Sequence, residues 1–220
     1  MKKQTLILIL ACLTIVAILV FVLVGRDIRA TPSIGATNAL VMNTKQEKEL
    51  FAKDASRAVP IASITKLMTT YLVLEAIHTK VLSWDEMLPL GRLDDPQAVS
   101  LYAKTGTKYY TVQDLFSAML IMSANDAAET LAERVAPENF TEKMNARAKQ
   151  FGMSKKTHFS SASGLDKDGE MSVSTAADLM ILTKKLLNDY PEVLDTTSRT
   201  DYVTKKRRYD SYDERSAARR

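Results

Sequence analysis

The first signature along the chain is an unbroken apolar stretch. Behind Met1-Lys2-Lys3-Gln4-Thr5, every residue from Leu6 to Gly25 is apolar except Thr14. About twenty residues at a helical rise of about 1.5 Å reach ~30 Å, the thickness of the hydrocarbon core of a bilayer. The two lysines ahead of the run favour an N-in orientation, with the rest of the chain outside the cytoplasm. A cleaved leader usually has an apolar core of only about 7–15 residues, and Ile28-Arg29-Ala30 is a mediocre cleavage site. The run is therefore read as an uncleaved membrane anchor, with a cleaved signal as the alternative. Cys12, which follows Ile9-Leu10-Ala11, is read as membrane-buried, because the apolar run continues well past it and argues against a lipoprotein box.

Beyond residue 30 the pattern shortens and the periods of strands and helices appear. Asn38–Asn43 and Glu49–Lys53 read as two short strands joined by the polar loop Thr44–Lys48, a hairpin. Ser63–Ile77 has helical spacing, with Ile64, Leu67, Met68, Tyr71 and Leu74 on one stripe. Thr111-Val-Gln-Asp114 has the form of a capping box opening a helix to about Met122. A second helix covers about Asp126–Val135. A third runs over Pro137–Phe151, with Phe140, Met144, Ala148 and Phe151 on one face and Gly152 as its stop. Thr175-Ala-Ala-Asp178 opens the last, with Leu179, Leu182 and Leu186 facing inward. A hairpin followed by a run of helices predicts an α+β fold, and no internal repeat is present.

Composition narrows the function classes. The 220 residues are 46% hydrophobic and 25% charged, which excludes collagen-like and wholly disordered chains. The formal charge of +4 has a local origin: Thr204–Arg220 holds 7 basic and 3 acidic residues, and the remainder carries 23 of each. The basic character belongs to a tail and not to a binding surface, so nucleic acid is not implied. One Cys and two His residues supply neither a disulfide framework nor a Cys/His metal site. No cofactor is expected, since neither a dinucleotide fingerprint nor a P-loop occurs.

The candidate chemistry lies in two short motifs. Ser63-Ile64-Thr65-Lys66 is the single S-x-x-K in the chain, and Ser123-Ala124-Asn125 the single S-x-N. Positions i and i+3 of a helix share a face, so Ser63 can pass its proton to the Lys66 amine one turn on. Lys66 must be neutral to accept it, which requires burial or neighbouring cations to lower its basicity. The helix start adds amide donors for an oxyanion. Ser123 would join the proton path, and the Asn125 amide would hold a substrate carbonyl. The alternative use of Ser63, Ser123 and Asn125 is helix capping, where Ser and Asn are favoured. His78 and His158 are read as surface residues.

The two motifs, in this order on an exported chain, resemble the serine D-alanyl-D-alanine carboxypeptidases, the low-molecular-mass penicillin-binding proteins of the DD-peptidase/β-lactamase-like superfamily. The likeness is carried by Pro60-Ile-Ala-Ser-Ile-Thr-Lys-Leu-Met-Thr69 and Ser123-Ala-Asn-Asp-Ala-Ala128. It continues through Met144-Asn145, Phe151-Gly152-Met153, Ser163-Gly164-Leu165-Asp166 and Tyr190-Pro191-Glu192. The resemblance implies a helical cluster packed on an antiparallel sheet. It implies Ser63 as the acylated nucleophile, Lys66 as its general base, and Ser123 and Asn125 completing proton transfer and substrate positioning. It also implies the partners: peptidoglycan stem peptides ending in D-Ala-D-Ala, and β-lactam antibiotics that mimic the acyl-enzyme.

The family's third box, Lys-Thr-Gly on a strand roughly 90 residues after the S-x-N, has no match after Asn125. Lys104-Thr105-Gly106 spells the tripeptide but precedes Ser123, and is read as a polar loop. The resemblance gives that box the substrate's terminal carboxylate and its strand the second oxyanion amide. The expectation is a C-terminally truncated catalytic domain with an incomplete sheet and little or no activity; a frameshift after about Lys206 would produce it. The chain then divides into an anchor or signal segment (1–30), the truncated DD-peptidase domain (31–198) and a basic polar tail read as disordered (199–220). Two other readings remain: a catalytically dead, membrane-tethered penicillin-binding or wall-binding remnant, and a β-lactamase-like hydrolase. Against the last, Lys184 stands where a Glu-x-x-Leu-Asn deacylation motif ending at Leu187-Asn188 would need its acid.

Overall fold

A computed structural model describes residues 14–16, 34–91, 93, 98–101, 108–166 and 169–203. The chain divides into two compact units, Met1–Ala36 and Thr37–Arg220. In the first, residues 14–16 are helical; the rest of the expected anchor at Leu6–Gly25, including Cys12, lies outside the described residues. So do Lys104-Thr105-Gly106 and the tail from Thr204. Among the described residues no helix is long and apolar enough to cross a membrane.

The second unit opens with the expected hairpin. Strands β1 (Ala39–Asn43) and β2 (Lys48–Lys53) pair antiparallel, with a register irregularity between Val41 and Met42. Two further ladders are too short to leave a period in the sequence. β3 (Val59–Pro60) pairs antiparallel with β6 (Val173–Ser174), and β4 (Met87–Pro89) with β5 (Tyr109–Thr111). Among the described residues the strands thus form three separate two-stranded sheets, and the architecture is α+β.

Helix α1 (Lys66–His78) is the centre of the core. Met68, Leu72, Val73 and Leu74 are fully buried, because α1 is wrapped by four others: α2 (Val112–Ile121), α3 (Asn125–Val135), α4 (Phe140–Gln150) and α5 (Ala176–Asp189). A helix enclosed in this way is apolar around most of its circumference instead of along one stripe. Ile64 accordingly departs from the expected stripe: it precedes α1 and is exposed.

Local chemistry sets the helix ends. At α2 the Thr111 hydroxyl accepts from the Asp114 amide at 3.1 Å and the Asp114 carboxylate accepts from the Thr111 amide, the reciprocal capping box. Thr175 caps α5 by accepting from the Asp178 amide. α4 begins at Phe140 instead of Pro137, since residues 137–139 form a turn. Its C-terminus is closed by Gly152 at φ +76, a left-handed position that suits glycine. The short helix α6 (Val193–Thr197) follows α5, and beyond it the Tyr202 hydroxyl donates to the Asp114 carboxylate at 3.0 Å.

Candidate active site

β3 delivers the chain to the start of α1 through a strained corner. Ala62 has φ +42, a left-handed conformation costly for a residue with a side chain. Residues Ala62–Thr65 form a 3-10 turn, so Ser63 precedes the α-helix proper and Lys66 is its first residue. The helix expected from Ser63 is thus tightened in its first turn. Neither the turn nor α1 has a side-chain cap. The capping use of Ser63 is excluded, and the residue is exposed.

Lys66 is 4% exposed, and all three protons of its ammonium have acceptors. Nζ donates to Ser63 Oγ at 3.0 Å, to Asn125 Oδ1 at 2.7 Å and to the Ser163 carbonyl at 2.8 Å. Burial pushes the lysine's pKa down to about 8, against the opposing pull of the Glu129 carboxylate. A lysine so placed holds a substantial neutral fraction near pH 8. When neutral, Nζ keeps two N–H donors for Asn125 and Ser163 and turns its lone pair toward Ser63, whose hydroxyl then donates. The Ser63–Lys66 contact is the one of the three that can reverse direction.

Asn125 is the first residue of α3 and is 5% exposed. The N-cap of α3 is Ala124, without a side-chain cap, so Ser123 and Asn125 are not there as caps either. The Val99 carbonyl accepts from the Asn125 amide nitrogen at 2.7 Å and from Nδ2 at 3.1 Å, which turns Oδ1 toward Lys66. Ser123, in the break between α2 and α3, is half-buried with φ +61. Among the described residues its hydroxyl makes no hydrogen bond to Ser63 or Lys66. The structure thus brings Ser63 and Asn125 into direct contact with Lys66 and gives Ser123 no hydrogen bond to either Ser63 or Lys66.

The third wall is the loop Ser161–Leu165. The Ser161 hydroxyl accepts from the Gly164 amide at 2.9 Å and donates to the Leu165 carbonyl at 2.8 Å. Thr69 on α1 donates to the Ala162 carbonyl at 2.6 Å. The Ser163 amide donates to Glu129 Oε1 at 3.0 Å. Three participants lie outside the two sequence motifs: the Ser163 carbonyl, the Val99 carbonyl and Glu129. A main-chain oxygen carries no residue signature. Glu129, four residues after Asn125 on the same helix face, could have been found from spacing alone.

His78 pairs with Glu192 at 2.5 Å, and His158 bridges to Val173 through its backbone. Both side chains are exposed. Lys184 pairs with Glu47 at 2.7 Å.

Known proteins share this arrangement of chain. A family model described as D-alanyl-D-alanine carboxypeptidase matches residues 26–215. The carboxypeptidase DacC of Escherichia coli is 33% identical over 172 residues, 73% of this chain and 42% of its own. DacF of Bacillus subtilis is 29% identical over 171 residues, 76% of this chain and 43% of its own. The chain therefore spans less than half the length of these curated relatives. Penicillin-binding protein D2 from Listeria monocytogenes, in its cefotaxime-bound form, superposes with a TM-score of 0.76 and 52% identity, covering 80% of this chain and 72% of that one. PBP3 from Streptococcus pneumoniae gives a TM-score of 0.73 at 29% identity, covering 79% of this chain and 51% of that one.

Proposed function

The chain belongs to the D-alanyl-D-alanine carboxypeptidase family, and on that premise we propose that it forms the nucleophile-bearing part of an enzyme that trims the terminal D-alanine from peptidoglycan stem peptides. The observation that carries this reading is the buried Lys66 amine held between Ser63, Asn125 and the Ser163 carbonyl. Ser63 Oγ attacks the carbonyl carbon of the penultimate D-alanine as its proton passes to Lys66 Nζ. The C–N bond to the terminal D-alanine breaks, and that amine leaves with the proton, handed back by way of Ser123. Water then cleaves the Ser63 ester, giving its hydroxyl to the acyl carbon and a proton to Oγ. A β-lactam follows the first step alone: its ring amide opens onto Ser63 and the amine stays attached. The Listeria relative's cefotaxime-bound form supports that partner.

Ser63 lies at the start of the helical turn, where N–H groups lack intrahelical partners, which favours its amide as one oxyanion donor. The second donor and the grip on the substrate carboxylate belong, in this reading, to a Lys-Thr-Gly strand that does not follow Asn125 within these 220 residues. The run Leu6–Gly25 behind two lysines supports a membrane-anchored body on the extracytoplasmic face.

Labelled penicillin and peptide mapping test the Ser63 reading. The adduct is expected on Ser63 and lost in Ser63→Ala, and an adduct on Ser123 would overturn it. Release of D-alanine from a diacyl-D-Ala-D-Ala tripeptide separates a working enzyme from an inert module. Fractionation with a C-terminal reporter tests the location, which a reporter active only in the cytoplasm would refute.

A further inference from the structure

We propose that Glu129 is the positioning residue for the base of this site: acting through the Ser163 peptide, it aims the carbonyl that holds the Lys66 amine. The inference rests on the reading of Lys66 as the proton acceptor of Ser63.

The geometry is a relay of two hydrogen bonds across one peptide segment. Glu129 Oε1 accepts from the Ser163 amide at 3.0 Å, and the Ser163 carbonyl accepts from Lys66 Nζ at 2.8 Å. Glu129 lies one helical turn beyond Asn125 on α3, so a single helix face supplies both Asn125 Oδ1 to Lys66 and the anchor for the loop that supplies the other acceptor. A carboxylate that grips the amide end of Ser163 both polarises and orients its carbonyl end.

Several other charged groups on the elements around α1 are engaged elsewhere. On α3, Asp126 accepts from the Leu101 and Ala127 amides. On α2, Asp114 is held by Thr111 and Tyr202. On α4, Arg147 grips Glu75 of α1 itself. On α5, Asp178 binds Ser154 and Thr157, and Asp189 binds the Tyr71 hydroxyl. Among the described residues, Glu129 is the charge that acts on Lys66. Glu129 also lines a surface cleft of about 440 Å³ with Leu88, Pro89, Gly91, Thr130 and Glu133, so a glutamine fits in its place without repacking.

The consequence is a site tuned for holding a proton as well as taking one. Removing the Glu129 charge while keeping the acceptor should lower the Lys66 titration midpoint by about one unit, the usual effect of one close charge. At pH 7 the neutral fraction of Lys66 then rises roughly fivefold.

The test titrates Lys66 directly, by NMR of the full chain carrying 13Cε-labelled lysine, with the resonance assigned from Lys66→Arg. In Glu129→Gln the midpoint is expected to fall and the rise of penicillin acylation with pH to move down with it. Glu129→Ala is expected to show that same fall and also to slow acylation at every pH, because the Ser163 carbonyl loses its anchor. A Lys66 midpoint that does not move in folded Glu129→Gln overturns the proposal. The Ser163 amide resonance must move between the wild-type chain and folded Glu129→Gln, whose acceptor on that amide has lost its charge; an unmoved Ser163 amide overturns the relay. If the wild-type chain is never acylated while the Lys66 midpoint still falls in Glu129→Gln, the Ser63 reading fails and the role of Glu129 stands.

Discussion

Gly164 lies directly against the carbonyl of Ala62, one residue before the candidate nucleophile. A Cβ at Gly164 would come within 1.9 Å of the Ala62 oxygen, and Gly164 has φ +82. The loop can touch the Ser63 turn only because the residue there has no side chain, and that contact brings the Ser163 carbonyl to Lys66.

Gly164→Ala should therefore damage site and fold together. The clash is with backbone and cannot be relieved by a rotamer change, and the left-handed φ adds strain. A loss of about 2–4 kcal/mol in chemical denaturation is expected, with penicillin labelling falling more than stability does. Wild-type stability in this variant would refute the contact.

Lys66 should leave its mark on both rate and stability as pH changes. Acylation of Ser63 should rise with pH through about 8, as the amine loses its proton. The folded-state value lies below the ordinary 10.5, so between about pH 8 and 10.5 the unfolded chain binds more protons at this side chain than the folded one. Stability then increases with pH across that window. Below it the buried ammonium costs the folded state roughly 3 kcal/mol. Denaturant midpoints at pH 7.5 and 9.5, compared with Lys66→Met, check the sign: the wild type gains on the variant as pH rises.

Asp114 closes the capping box of α2 and receives the Tyr202 hydroxyl. Asp114→Ala should cost about 1–2 kcal/mol, and Tyr202→Phe less. A double-mutant cycle by urea denaturation should give a coupling between the two; simple additivity would mean that the Tyr202 contact contributes nothing.

Arg147 grips Glu75 through two contacts of 2.6 and 2.8 Å and lies over the Tyr71 and Phe151 rings at 5.4 and 5.8 Å. Arg147→Lys keeps the charge but loses the fork and the stacking. It should destabilise by about 1–2 kcal/mol without changing which serine penicillin labels. A neutral result would show that the pair is held by packing alone.

Turnover should separate the 220 residues from a longer chain that carries a Lys-Thr-Gly strand after Asn125. Losing one oxyanion donor costs about 10²–10³ in rate, and losing the carboxylate grip costs positioning as well. Equal release of D-alanine by the two chains would refute that third-box requirement.

Short-range chemistry makes part of this protein legible residue by residue. The hairpin, the Thr111–Asp114 box, the Thr175 cap and the faces of the helices depend on residues within a few positions of one another, and each is legible from composition and period. Ser63 and Lys66 belong to the same class, since three residues along a turn bring them together whatever surrounds them. The tertiary structure alone decided the rest. Asn125 and the Ser163 carbonyl meet Lys66 across 59 and 97 residues, and two of the three ladders are too short to carry a period. Ile64 turned outward because a 3-10 turn replaces the first turn of the expected helix. Most of all, the lowered basicity of Lys66 is a property of burial. Burial is set by α3 and the Ser161–Leu165 loop closing over α1, and no local pattern records how far water is kept from an amine.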